Sequence, residues 1–200
     1  MSTELAMKRE ITRDDILPMA SYEAERRELR RDLVAKKKFR RQDVGPVCTF
    51  YFENYDTMWA QIHEMLYIEK GGEEQIKDEL SAYNPLIPQG RELVATVMFE
   101  IDDAQRRKTF LSKLGGIEET AFFEVDGERV VGKPEDDVDR TTADGKASSV
   151  QFIHFPFTDA QVAKFKQPDS RVVRGFSHPE YGHMTILPEE TRAALSKDFD

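Results

Sequence analysis

The chain of 200 residues contains one cysteine, Cys48, one tryptophan, Trp59, and four histidines. A single cysteine excludes an internal disulfide framework, and it excludes any zinc or iron–sulfur centre built on several thiolates. No CxxC partner or neighbouring histidine activates Cys48, so it reads as a small core residue. No run of about 18 apolar residues occurs, so nothing reads as a membrane span. The N-terminal MSTELAMKRE has no apolar stretch of signal-peptide length, and Met7 offers a second start. The expectation is a soluble, cytoplasmic protein.

Familiar catalytic signatures are missing too. DGKASS ends like a phosphate-binding loop, but the first glycine of that motif falls on Arg140, and Ala147 follows the lysine. His63-Glu64 lacks the second histidine of HExxH. There is no nucleophile elbow and no dinucleotide fingerprint, so no dinucleotide cofactor is expected.

What is present begins with charge. The net charge is -9, which disfavours nonspecific nucleic-acid binding by the whole surface. The distribution is uneven. RRELRRDLVAKKKFRR, from Arg26 to Arg41, holds nine basic and two acidic residues, a local +7, and the remainder carries -16. Arg26, Arg27, Arg30, Arg31, Lys36, Lys37 and Lys38 form either a helix face paired within the chain or a surface that docks an acidic protein partner. Phe39 is the segment's only base-stacking residue, which weighs against nucleic acid.

Thr12 and Asp15 make a capping pair with Ile11 and Ile16 at the two staple positions. Pro18 restarts the helix, which runs to about Phe39 with a thin apolar stripe of Tyr22, Leu29 and Leu33. Gly45-Pro46 ends that segment. TFYFE (49–53) has strand composition. A helix from Asp56 to Lys70 carries Met58, Trp59, Ile62, Met65 and Leu66 on one face, which leaves His63 and Glu64 outside it and His63 exposed. A short helix buries Ile76, Leu80 and Tyr83, with Glu79 flanking them, and NPLIPQG then breaks the chain.

Beyond the break, LVATVMFEI (93–101) is apolar on both faces except for Thr96 and Glu100, and suits a central strand. Asp102-Asp103 cap a helix ending at Leu114, and Asp126-Gly127 fits a type I′ hairpin turn. PEDDVDRTTADGKASS is a polar loop. SVQFIHFPF is a strand, Thr158 and Gln161 cap a short helix, and RVVRGFS and HMTIL are further strands before a terminal helix from Pro188. MFEIDDAQRRKTF and HFPFTDAQVAKFK share a strand, cap, Asp-Ala-Gln and helix pattern, which convergent capping explains better than duplication. The expected architecture is α+β. A helical part (1–88) packs on a mainly antiparallel sheet part (89–200), the two forming one integrated domain.

Three groups of residues could carry chemistry. His154, His178 and His183 would form a divalent-metal site if they converge. In HPEYGH the Glu180–His183 spacing needs a helix to place both on one face, and Pro179 and Gly182 argue for a turn instead. Among the carboxylates, Glu69 and Glu100 fall where the pattern gives burial, with Arg40 and Arg41 as partners. Near the tryptophan, Glu53, Asn54, Gln61 and Tyr83 complete a possible binding set.

ITRDDILPMASYEAERRELRR, KKFRRQDVGP, TFYFENYDTMWAQIHEML, AYNPLIP and the HPEY segment resemble the bacterial domain-of-unknown-function family numbered 3501, over essentially the whole chain. The family carries no catalytic residues to transfer. Its members are often encoded beside rubrerythrin-like and iron–sulfur proteins, so the resemblance implies an accessory or binding protein acting with such a redox partner. A metal-dependent enzyme using the histidines, or a small-molecule binder with a pocket near Trp59 and Tyr83, are the alternatives.

Overall fold

Thr12 opens the described chain's first turn: its backbone N–H and its hydroxyl each lie 2.9 Å from Asp15 Oδ2. Ile11 and Ile16, on either side, are both buried. The structure, a computed structural model, describes residues 8–135, 141–142 and 145–200. Met7, Arg140 and most of the acidic part of the PEDDVDR loop lie outside the described residues. Pro18 caps α1 (Met19–Lys37), where its missing N–H costs nothing.

Helix α1 stops short of Phe39 because the chain turns at Arg40 into a strand that the sequence pattern missed. That strand, β1 (Arg41–Val44), forms an antiparallel hairpin with β2 (Cys48–Glu53). Gly45 at the turn has φ +69°, a conformation that favours glycine. Asn54 then caps α2 (Tyr55–Glu69), accepting from the Thr57 N–H at 3.1 Å while Thr57 Oγ1 accepts from the Asn54 N–H at 2.9 Å. Next come α3 (Gly72–Tyr83), β3 (Glu92–Phe99), α4 (Ala104–Leu111) and the hairpin of β4 (Ala121–Val125) and β5 (Glu128–Val131). Asp126 and Gly127 both have positive φ, as a type I′ turn requires. The chain continues through β6 (Lys133–Pro134), β7 (Val150–Pro156), α5 (Asp159–Lys166), β8 (Val172–Phe176), β9 (Met184–Ile186) and α6 (Glu189–Leu195).

The strands form two antiparallel sheets, in the orders β1-β2-β3-β7-β6 and β5-β4-β8-β9. The fold is α+β. Gly132 carries the chain from β5 in the second sheet to β6 in the first. Its N–H reaches Ala121 O at 2.8 Å, and a Cβ there would come within 2.7 Å of Ile153 and 2.9 Å of Phe155. Both strand–helix segments sharing Asp-Ala-Gln lead from the first sheet to the second. They use the motif one residue out of step, however: Asp103 is the cap of α4, whereas Asp159 is the first residue of α5 and Thr158 its cap.

Strand β3 explains how the layers stack. Leu93, Ala95, Val97 and Phe99 enter the core between the sheets, with Phe50, Phe123, Phe155 and Phe176. Val94 faces the other way, into a second core with Ile11, Ile62, Leu66, Ile76 and Leu86 beneath the helices. The central strand is therefore covered on both sides, as its mainly apolar sequence requires.

Candidate functional site

The helical layer holds the largest departure from the sequence pattern. His63, expected to be exposed, is fully buried. The periodicity of α2 identifies one apolar face, but α1 covers the neighbouring face, and Tyr22 is the residue it buries there. The His63 ring lies 3.8 Å from the Trp59 ring and 4.9 Å from Tyr22, centroid to centroid. Its Nε2 accepts from the Leu17 N–H at 3.0 Å, which assigns the proton to Nδ1, donating to Trp59 O at 2.7 Å. Burial holds this histidine below its ordinary pKa, so it is neutral.

Glu64, the other residue placed off the apolar face, gathers α1's charges. It accepts from Tyr22 Oη at 2.6 Å, from Arg26 Nε and Nη2 at 2.8 and 2.7 Å, and from Arg30 Nη1 at 3.3 Å. The paired hydrogen bonds from Arg26 are the main cause holding the Glu64 carboxyl below its usual range. Farther along α1, Lys36 meets Asp56 of α2 at 2.6 Å. Between these two cross-helix ion pairs the helices part, leaving a groove of about 460 Å³ with Leu29, Leu33, Val34, Trp59 and Ala60 along it. Val34 is 70% exposed.

The remaining basic residues sort by position. Arg31 contacts Glu28 at 2.9 Å and Asp32 at 3.6 Å on the solvent side, and Lys38 lies over the Phe39 ring. Arg27 is exposed, and Lys37 is half-buried at the groove's lip.

The carboxylates assigned to burial are exposed, and others take their place. Glu69 is the last residue of α2, past the covered part of its face, and accepts from Gln75 at 3.0 Å. Glu100 follows β3 at the sheet's end, where Thr49 (2.6 Å), Tyr51 (2.9 Å) and Arg41 (3.7 Å) reach it. Among the described residues the buried glutamates are Glu53, which accepts from Thr57 Oγ1 at 2.6 Å and Thr96 Oγ1 at 2.7 Å, Glu79 and Glu118. Arg40 does hold a buried carboxylate, that of Asp198. Gln61 reaches Tyr83 Oη at 3.4 Å and also borders the groove. Glu69 stands about 22 Å along α2 from Asn54, at the helical rise per residue, so Glu69 does not share one site with Glu53 and Asn54.

The three histidines have separate surroundings. His178 Nε2 lies 3.2 Å from Gly115 O, and its Nδ1 accepts from the Glu180 N–H at 3.2 Å, holding the HPEY turn. His183 packs edge-on to the Tyr181 ring, whose hydroxyl donates to Val44 O at 2.7 Å. His154 lies on β7 between Glu92 and Glu135. Among the described residues no three His, Cys, Asp or Glu side chains are grouped to hold a metal ion. Glu92, Glu135 and Asp198 had no sequence signal, because strand register and the path of the C-terminus bring them to their partners.

These features define an α+β protein of two facing antiparallel sheets, with a helical layer whose outermost helix leaves a groove. Among the described residues no helix is long and apolar enough to cross a membrane. The chain belongs to the family described as "Protein of unknown function (DUF3501)", matched over residues 10–199. A crystal structure described as a novel protein of unknown function from Burkholderia pseudomallei K96243 is 36% identical, with a TM-score of 0.88. The match covers 95% of this chain and 99% of that one. No curated protein matches the chain.

Proposed function

We propose that this is a binding protein, and that the α1–α2 groove docks an acidic amphipathic segment of a partner protein. The observation that supports this reading best is the groove itself. An apolar trough runs beneath the most basic helix of an otherwise acidic chain, with an ion pair at each end. An apolar side chain entering it would cover Leu33 and Trp59, and flanking carboxylates would meet Lys37 at the lip, beside Arg30 and Lys36. Burying about 100 Å² of apolar surface contributes roughly 2.5 kcal/mol, and the charges add steering and specificity. The partner class implied by the family resemblance is a rubrerythrin-like or iron–sulfur protein. In that role this chain supplies the surface and its partner the redox centre, since burial in the inter-sheet core pushes the Cys48 thiol pKa up.

Two probes separate the parts of this reading. An amphipathic peptide with Glu and Leu at helical spacing tests the groove, and a purified rubrerythrin-like protein tests the partner class. Both should bind less tightly as salt rises, and Lys37→Glu and Leu33→Asp should each weaken binding at least about tenfold. Peptide binding without protein binding rejects the partner class alone. Affinity indifferent to salt and to both substitutions rejects the groove.

A further inference from the structure

His154 lies on the face of the first sheet that carries the helices, at the edge formed by β6 and β7. Its imidazole sits between carboxylates of two other segments. Nδ1 is 3.0 Å from Glu92 Oε2, at the start of β3, and Nε2 is 3.1 Å from Glu135 Oε1, just after β6. The three side chains are 21%, 19% and 16% exposed, so solvent reaches them only in part. Both ring nitrogens face acceptors, and only the imidazolium has two N–H groups to offer. A neutral ring keeps one bond and turns a lone pair towards the other carboxylate.

The element held by this contact is slight. Strand β6 is two residues long, pairing Lys133 with His154 and Pro134 with Ile153. Pro134 has no N–H to give, and the backbone bond from the Glu135 N–H to Phe152 O, at 3.0 Å, closes the edge. Around the ring, Pro85, Pro134 and Pro156 wall a hollow of about 500 Å³, and Lys133 is the one other charged side chain described along it.

We propose that Glu92, His154 and Glu135 form a proton-operated latch, in which the imidazolium pins β6 to β7 and loss of its proton releases this edge of the sheet. Burial alone would lower the His154 pKa, but the two carboxylates outweigh it and raise it above the ordinary value near 6.5. A raised pKa in the latched form fixes the sign. The latch is at full strength below about pH 6.5 and weakens as pH rises through the raised value. Release exposes backbone groups of β7 in the manner of an unprotected sheet edge.

The test is an NMR titration of the His154 ring, run beside amide-exchange protection of Glu135, corrected for intrinsic rates. The Val97 amide of the central strand serves as the internal control for intact folding. Glu135 protection should fall about tenfold as the ring deprotonates, with matching midpoints, and should be low at every pH in His154→Gln. Glu92→Gln and Glu135→Gln should each move the ring's midpoint down towards the ordinary value. A ring that titrates while Glu135 protection stays flat, or a midpoint unmoved by both glutamate substitutions, overturns the latch.

Discussion

Arg40 and Asp198 meet across 158 positions of sequence, with Nη2–Oδ2 and Nη1–Oδ1 separations of 2.5 and 3.2 Å. Their side chains are 7% and 1% exposed, and Arg40 also donates to Phe52 O at 2.9 Å and Glu53 O at 3.0 Å. The pair ties the C-terminus to the start of β1 and the end of β2. Desolvation makes such a pair a weak source of net stability, but removing one member strands the other. Arg40→Met or Asp198→Leu alone should therefore cost about 3–5 kcal/mol in urea unfolding. The double variant should cost less than the sum of the two. Strict additivity would show that the two residues act separately.

Arg174 makes the opposite case. It is fully buried on β8, where Nη2 reaches Gln42 Oε1 at 3.2 Å and Asp43 O at 3.1 Å. Its Nε and Nη1 have no partner among the described residues, and burial lowers its pKa to about 10. A buried cation satisfied on one nitrogen of three offsets little of its desolvation. Arg174→Met should be neutral or stabilising, by up to about 4 kcal/mol. A loss of more than about 2 kcal/mol would contradict this.

The Trp59–His63–Tyr22 stack makes α1 docking sensitive to acid. The His63 pKa is depressed by burial, so its neutral form contributes stability above about pH 6.5, and that contribution is lost as pH falls through the lowered value. Glu64, whose pKa is lowered chiefly by Arg26, acts in the same direction below the usual carboxylate range. Trp59 emission should shift to the red on acidification, with its first step below pH 6.5. His63→Phe should abolish that first step. A red shift on raising the pH instead would show the sign to be wrong.

The sequence makes local chemistry legible and leaves long-range cover invisible. The Thr12–Asp15, Asn54–Thr57 and Thr158–Gln161 caps and the Asp126-Gly127 turn depend on residues within four positions, and three of these four motifs stand out in the sequence. The Asn54 cap escapes notice because its third residue is Thr rather than Glu. Strands β1 and β6 are illegible because RQDV and KP are short sheet edges without an alternating apolar pattern, and the partner of β6 lies on the far side of a long loop. His63 misleads because α2's own periodicity cannot report that α1 lies over its second face. Glu53 and Glu69 exchange places for a related reason. Two threonines from α2 and β3 cover the first, whereas the second lies in the helix's last turn, beyond the neighbouring layer.

The docking groove is the centre of the functional account, and a hydrogen-exchange footprint with and without the acidic partner tests it most directly. Binding should slow exchange across residues 26–37 of α1 and 56–64 of α2 and leave the second sheet unchanged. A footprint on the second sheet with α1 untouched would contradict it.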